Sequence, residues 1–293
     1  MTTKLWPVIL AVGLTAGVGV GQGVIDSVDV GCTWVGSLAY NSRANVLYGA
    51  SCLGRVFTID CATNQLHSWI GVRQPLHVCY DSMDNKAYVT YWDSVLVMSG
   101  ESHTRIGSIP MPDASELVWD ARTNRLYVSG YEEDVIGVID CRTDSLLCLI
   151  PVPGSPLGLD PNTRRPKLYA RCVDAQNVAV IDLTTNQVAR MIPTGGNLSA
   201  SCYAGSVDKY YCDGDHGVFV VGGMSDSVIR RIPIVWAMDM TCDDRGSKLA
   251  VSTQGIVGDS VFVIDAVVDT LFGGTGVSRD PAPLMWAIPE SKT

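Results

Sequence analysis

Six segments of this chain repeat one phrase. It runs as an apolar strand, a turn, Lys/Arg/Asn-x-Tyr, a polar turn, an apolar strand often ending in Ile-Asp, and then Thr-x-x-Val. The landmark residues are Tyr48, Tyr88, Tyr127, Tyr169 and Tyr211, with Ala250 in the sixth place, at separations of 40, 39, 42, 42 and 39 residues. An internal period of this kind fixes the architecture before any local signal is consulted. Each unit reads as four short strands. The third has Glu116–Asp120, Arg125–Ser129, Val135–Asp140 and Ser145–Val152; the fourth repeats this with Lys167–Arg171, Val178–Asp182 and Gln187–Ile192. Arg122-Thr-Asn, Arg142-Thr-Asp and Thr184-Thr-Asn separate them. Asn and Asp tolerate the left-handed backbone and bond their own main chain, so they end strands cleanly. No run of helical period is long enough for a substantial helix after the N-terminal segment.

A sheet of four such strands must bury both faces, and it cannot do so alone. Radial stacking solves the problem, because each sheet then covers its two neighbours. A four-stranded unit of about 40 residues therefore predicts an all-β β-propeller; a β-solenoid, the competing repeat architecture, uses shorter coils. Val24-Ile-Asp-Ser-Val-Asp-Val-Gly has the look of a fourth strand and Pro283-Leu-Met-Trp-Ala-Ile-Pro that of a first. Paired, they would add a partial seventh blade to the six complete ones, with the ring truncated or the last blade rudimentary.

Lys86-Ala-Tyr-Val-Thr-Tyr, Arg125-Leu-Tyr-Val-Ser-Gly and Lys167-Leu-Tyr-Ala-Arg resemble the Tyr-Val-Thr-Asn phrase of the YVTN-type β-propeller repeats. Val178-Ala-Val-Ile-Asp with Thr184-Thr-Asn-Gln-Val, and Val261-Phe-Val-Ile-Asp, resemble the second half of that repeat. Pro75 and Pro156, each 13 residues before its tyrosine, are similar to the family's proline at the start of the inner strand. The chain departs from the pattern at Tyr91, which replaces the Asn, and at Leu249-Ala-Val-Ser-Thr. The matching positions are packing and turn residues, so the resemblance implies a fold and a bacterial or archaeal surface or periplasmic setting, not a chemistry.

The N-terminus agrees with that setting. Lys4 precedes an uncharged, largely apolar stretch from Leu5 to Val20, and Gly19 with Gly21, or Gly21 with Gly23, suit a cleavage site. Residues 1–23 are expected to be a signal peptide and 24–293 a single β-propeller domain. The apolar stretch is short for a span of about 20 residues, so no membrane span is expected once the leader is cleaved, and the protein is expected to be secreted, periplasmic or on the cell surface. Ten cysteines without a Cys-x-x-Cys pair argue against a zinc site and for buried thiols with one or more bridges. The net charge of −9 disfavours nucleic acid as a partner.

Eleven residues before each landmark lies one equivalent inner-strand position per blade: Ser37, His77, Glu116, Gly158, Ala200 and Asp239, with Met285 in the partial blade. His77, Glu116 and Asp239 would converge on the propeller axis as a candidate channel site. No cofactor is predicted, but imidazole and carboxylates there would suit a divalent metal or acid–base work; solvated channel lining is the plainer alternative. Trp34 and Trp236 occupy matching positions ahead of their inner strands and are candidate ligand-face aromatics. The carboxylates of Gly258-Asp-Ser and Asp213-Gly-Asp-His read as solvated turns, too few for calcium. No nucleophile elbow, Walker loop or His-Glu-x-x-His occurs. Two functions follow as expectations: a non-catalytic binding or cell-surface module presenting a face to a protein or glycan, or a periplasmic, lactonase-like propeller hydrolase.

Overall fold

The structure is a computed structural model of the chain and describes residues 8–9, 27–31, 35–51, 54–196, 198–243, 248–253 and 259–277. Strands and turns make up the described residues, and no helix among them is long and apolar enough to cross a membrane. Six four-stranded antiparallel sheets follow in chain order, each a simple meander. Sheet 1 comprises Val35–Asn41, Val46–Ser51, Arg55–Asp60 and Gln65–Gly71. Sheet 2 comprises Pro75–Asp81, Lys86–Tyr91, Ser94–Ser99 and Arg105–Pro110, and sheet 3 Ala114–Asp120, Arg125–Gly130, Val135–Asp140 and Ser145–Pro151. Sheet 4 comprises Pro156–Asn162, Lys167–Cys172, Asn177–Asp182 and Gln187–Pro193. Sheet 5 has Ser201–Ala204, Lys209–Gly214, Gly217–Gly222 and Ser227–Ile232, and sheet 6 Ala237–Cys242, Lys248–Thr253, Asp259–Asp265 and Thr270–Val277. The expected third and fourth units are reproduced to within two residues at each strand end.

The chain divides into two compact units, Met1–Val128 with Val138–Cys148 and Trp286–Thr293, and Ser129–Gly137 with Leu149–Met285. The first holds sheets 1 and 2, the second sheets 4 to 6, and the division runs through sheet 3. In sheets 1 to 5 the second and third strands are buried on both faces, as in Lys86–Tyr91 and Ser94–Ser99, where only the end residues are partly exposed. The fourth strands are more exposed, alternating in Ser145–Pro151 and open over four consecutive residues in Ser227–Ile232. Burial on both faces follows from a sheet covered by neighbours on either side. In the first unit Tyr48, Ala50 and Val56 of sheet 1 form one core with Val78, Val89, Leu96 and Met98 of sheet 2. In the second unit Tyr169, Val178 and Val180 of sheet 4 meet Tyr210, Phe219 and Val221 of sheet 5.

The repeated phrase proves to be two halves of one contact. Lys86 Nζ lies 2.8 Å from Asp144 Oδ2, and the Tyr88 hydroxyl donates to Asp144 Oδ1 at 2.8 Å. Asp144 is the left-handed residue of the turn between the last two strands of sheet 3. The same clamp joins Lys167 and Tyr169 to Asp226, and Lys209 and Tyr211 to Asp269. These are charge-assisted bonds to a buried phenol. Burial above all pushes the phenols of Tyr88 and Tyr211 far above their ordinary range, with the adjacent anion adding to it, so they stay donors. The junction from sheet 1 to sheet 2 is different: Val46 replaces the lysine, His103 replaces the aspartate, and the Tyr48 hydroxyl meets His103 Nδ1 at 2.7 Å. The Ile-Asp endings have their own task. Asp60, Asp140, Asp182 and Asp265 each accept two main-chain N–H groups from the turn that follows. These bonds hold the carboxyls of Asp60 and Asp140 below their ordinary range.

A second recurring bond braces the first hairpin of the sheets. Eight residues before the landmark stands an aromatic residue whose polar atom donates to the turn residue five positions on: Tyr40 to Asn45, Tyr80 to Asn85, Trp119 to Asn124, and Tyr203 to Asp208. Of the two expected seventh-blade segments, residues 283–289 lie outside the described residues. At the other end, Ser27–Val28 pairs with Val8–Ile9, and Val28 and Val30 are buried against Leu47, Phe57 and Ile59 of sheet 1.

Candidate functional site

In sheets 1 and 6 the inner-strand position eleven before the landmark pairs across the ladder with the residue two after it, and in sheets 2 and 4 it falls within a bulge opposite that residue. Ser37 opposes Ala50, and Asp239 opposes Ser252. The His77 N–H donates to Thr90 Oγ1 at 3.0 Å. A β-bulge sits beside the position in sheets 1, 2, 4 and 6, a device that re-aims side chains. His77 and Glu116 both belong to the first unit and sense each other. Burial lowers the pKa of the His77 imidazole and the Glu116 carboxylate partly offsets this, so the ring is biased to its neutral form. His77 Nδ1 is buried without a protein hydrogen-bond partner. Asp239 belongs to the second unit, where its Oδ1 accepts the N–H of Met240 at 2.8 Å.

Sheets 4 and 5 carry their ionisable group on the other strand. Gly158 and Ala200 leave space, and Arg171 and Asp213 fill the partner positions. Gly158 is the bulge residue, with φ +53°, and a Cβ built there would lie 2.0 Å from Arg171 Nε. Arg171 is 7% exposed and its Nη1 donates to the Leu198 carbonyl at 2.6 Å. Asp213 is 5% exposed, accepts the Ala200 N–H at 3.0 Å, and is acted on by Arg171. Burial pushes the Asp213 carboxyl up to about 6, against the backbone N–H groups of Ala200 and Ser199 and the Arg171 charge, which pull it down. The reading of Asp213 as part of a solvated turn is therefore corrected: it lies within the strand Lys209–Gly214, and only Asp215 and His216 form the hairpin connection. Asp160, whose Oδ2 accepts from Ser201 Oγ at 2.6 Å, adds a carboxylate whose field reaches Tyr210 and Cys212. The signal for this cluster was two residues past the landmark, where Ala50, Thr90, Ser129 and Ser252 are small and Arg171 and Asp213 are not.

Among the described residues no group of three or more His, Cys, Asp or Glu side chains is disposed to hold a metal ion. The eight described cysteines, Cys61, Cys79, Cys141, Cys148, Cys172, Cys202, Cys212 and Cys242, are thiols. Trp34 and Gly258 lie outside the described residues, while Asp259 and Ser260, read as part of a turn, begin the third strand of sheet 6. Trp236 is 65% exposed and adopts φ +65° in the link to the first strand of sheet 6, flanked by exposed Val235 and Met238. The links leading into sheets 2, 3 and 4 place Gln74, Asp113 and Ser155 in that left-handed conformation instead. In the first unit Trp92, 50% exposed and at φ +46°, forms a two-residue hairpin connection with Asp93, and the Arg73 guanidinium stacks on its ring at 4.0 Å.

With this geometry in hand, the chain is similar to a solved hydrazine synthase chain from Kuenenia stuttgartiensis, a β-propeller-containing protein. The TM-score is 0.71, the identity 18%, and the match covers 90% of each chain. The fold is a β-propeller. At that identity the likeness carries the fold alone. No protein-family model and no curated protein matches the sequence.

Proposed function

We propose that this β-propeller is a non-catalytic binding module, exported to the periplasm or cell surface, that engages a protein or glycan through exposed aromatic residues on its connections. The observation that carries the reading is Trp236. A bulky side chain in the left-handed region is disfavoured, and here it recovers nothing by burial, being 65% exposed. Backbone strain without a packing return supports a functional role. Trp92 shares the left-handed backbone and the exposure in the other unit, at a hairpin position that suits Asn, Asp or Gly, with the Arg73 guanidinium stacked on its ring. Indole rings held this way supply large contact area at low entropic cost, the usual character of hot-spot residues. The test compares wild type with W92A, W236A and the double variant on a glycan array and on immobilised extracellular protein fractions. Binding lost in the variants with Tm unchanged supports the reading and tells glycan from protein; undiminished binding in the double variant overturns it.

A second reading, hydrolysis at a metal or acid–base site, is favoured by the buried, unpartnered Nδ1 of His77 beside Glu116. Elemental analysis of wild type and H77A decides between them. Stoichiometric metal lost in H77A would favour the hydrolase.

A further inference from the structure

The first strands of sheets 5 and 6 are neighbours within the second unit, and each carries a cysteine, Cys202 and Cys242. Cys242 stands eight residues before its landmark, the position that holds Tyr40, Tyr80, Trp119 and Tyr203 in other repeats. There the aromatic residue braces its own hairpin; a thiol cannot reach that turn. Cys242 Sγ turns instead to the neighbouring strand, 3.2 Å from the carbonyl oxygen of Tyr203, the residue after Cys202. It packs on the core that contains Cys202, and the two thiols share a hydrogen bond. The aromatic brace is absent from this repeat, as it is at Pro161 of sheet 4, and here the first strand of the preceding sheet carries a thiol that packs in the same core.

We propose that Cys202 and Cys242 form a disulfide that ties sheet 5 to sheet 6 when the protein meets a disulfide oxidant. Exposure orders the steps. Cys242 is partly exposed and Cys202 is buried, so a small disulfide RSSR is attacked first by Cys242, which gives Cys242–S–S–R and one RSH. Cys202 then displaces the second RS group, closing the Cys202–Cys242 bond and releasing another RSH. Both protein thiols lose their protons to the departing thiols, and the two electrons reduce RSSR. Cys202 is held as a thiol, first by its hydrogen bond with Cys242 and then by burial. A protonated, buried resolving thiol slows this exchange. The bridge closes a long loop of the unfolded chain, the case in which a crosslink stabilises most.

The experiment takes the full-length protein, reduced and folded, and exposes it to oxidised glutathione. Non-reducing peptide mapping by mass spectrometry is expected to show one linked pair, Cys202 with Cys242. Two free thiols should disappear in a thiol count, and Tm should rise by about 8 °C, on the loop-closure scaling for a domain of this size. Reduction should reverse the rise, and C242S should not show it. Cys202 and Cys242 both alkylatable after oxidation would overturn the proposal, as would a bridge between Cys79 and Cys141, thiols of the first unit whose charges sense each other. The mapping is read on wild type, so it decides between these outcomes even if C242S fails to fold.

Discussion

In sheet 2 the ionisable side chain of the inner cross-strand pair is His77, on the first strand, and its partner across the ladder is the small Thr90. In sheet 4 the arrangement is inverted: Gly158 is on the first strand and Arg171 on the second. Sheet 6 follows sheet 2, with Asp239 opposite Ser252, and sheet 5 follows sheet 4, with Asp213 opposite Ala200. One rule covers both forms: a pair has room for one long polar side chain, and either strand can supply it. The two forms differ in solvation. His77 and Asp239 are half-buried, whereas Arg171 and Asp213 are almost wholly enclosed and bond main-chain groups. A polar group on the first strand keeps contact with water; a charge on the second is enclosed and needs partners, as buried charges do. The inverted form therefore should dominate stability and the upright form should be the more adaptable.

The largest expected effect is at Gly158. Alanine there would meet the left-handed backbone penalty of about 1 kcal/mol. It would also displace the Arg171 guanidinium from its charge-assisted bond to Leu198, a loss of about 1.5–3 kcal/mol. Together G158A should cost about 3–4 kcal/mol in denaturant unfolding. In an R171S background, where the space is vacated, the same substitution should cost only about 1 kcal/mol. Additive costs in the double-mutant cycle would break the claim that the two residues share one site.

Asp213 comes next, and its sign is fixed by linkage. Its folded pKa of about 6 lies above the ordinary carboxyl value, so the native state binds a proton that the unfolded chain releases. Its contribution is complete below about pH 3.9 and is lost as pH rises through about 6. Wild type should accordingly lose about 2 kcal/mol relative to D213N between pH 4 and pH 7, from a shift of about two units. Parallel stability–pH curves for the two proteins would show that Asp213 is not enclosed in solution. Carboxyls such as Asp140, held down by backbone N–H bonds, run the other way and are common to both proteins.

What could be read from the sequence follows from the same contrast. The period, the strand ends and the Asx turns were legible because each rests on local chemistry: Asn124, Asp144 and Asn186 are left-handed where Arg122-Thr-Asn, Arg142-Thr-Asp and Thr184-Thr-Asn placed them. The Lys-x-Tyr phrase was visible too, but its partner was not. Asp144 lies 56 residues beyond Tyr88, and nothing local links a turn residue in one unit to a strand in the one before. Counting a single position per blade found His77, Glu116 and Asp239 and passed over Arg171 and Asp213, since the polar group can pass to the opposite strand without disturbing the period. Asp213 was misplaced for a related reason. Asp-Gly-Asp-His has the composition of an exposed turn, while burial of its first residue depends on the neighbouring strand, which no spacing reports.

The smallest effect tests the upright form. His77 is biased to neutral by burial, and Glu116 is the charge that works against this. E116Q should lower the His77 pKa further, and a histidine NMR titration with H77Q as the assignment control measures it. The stability consequence has a defined sign. A histidine with a depressed folded pKa is protonated first in the unfolded chain, so stability falls as pH drops below the unfolded value of about 6.5 and levels off beneath the folded one. E116Q should deepen that fall and H77Q should remove it. An unmoved His77 titration in E116Q would mean that the two first-strand groups do not form a pair, and the case for acid–base chemistry there would lose its only electrostatic support. A clear shift would leave His77 and Glu116 as a coupled, water-accessible pair, the arrangement that the enclosed Arg171 and Asp213 do not offer.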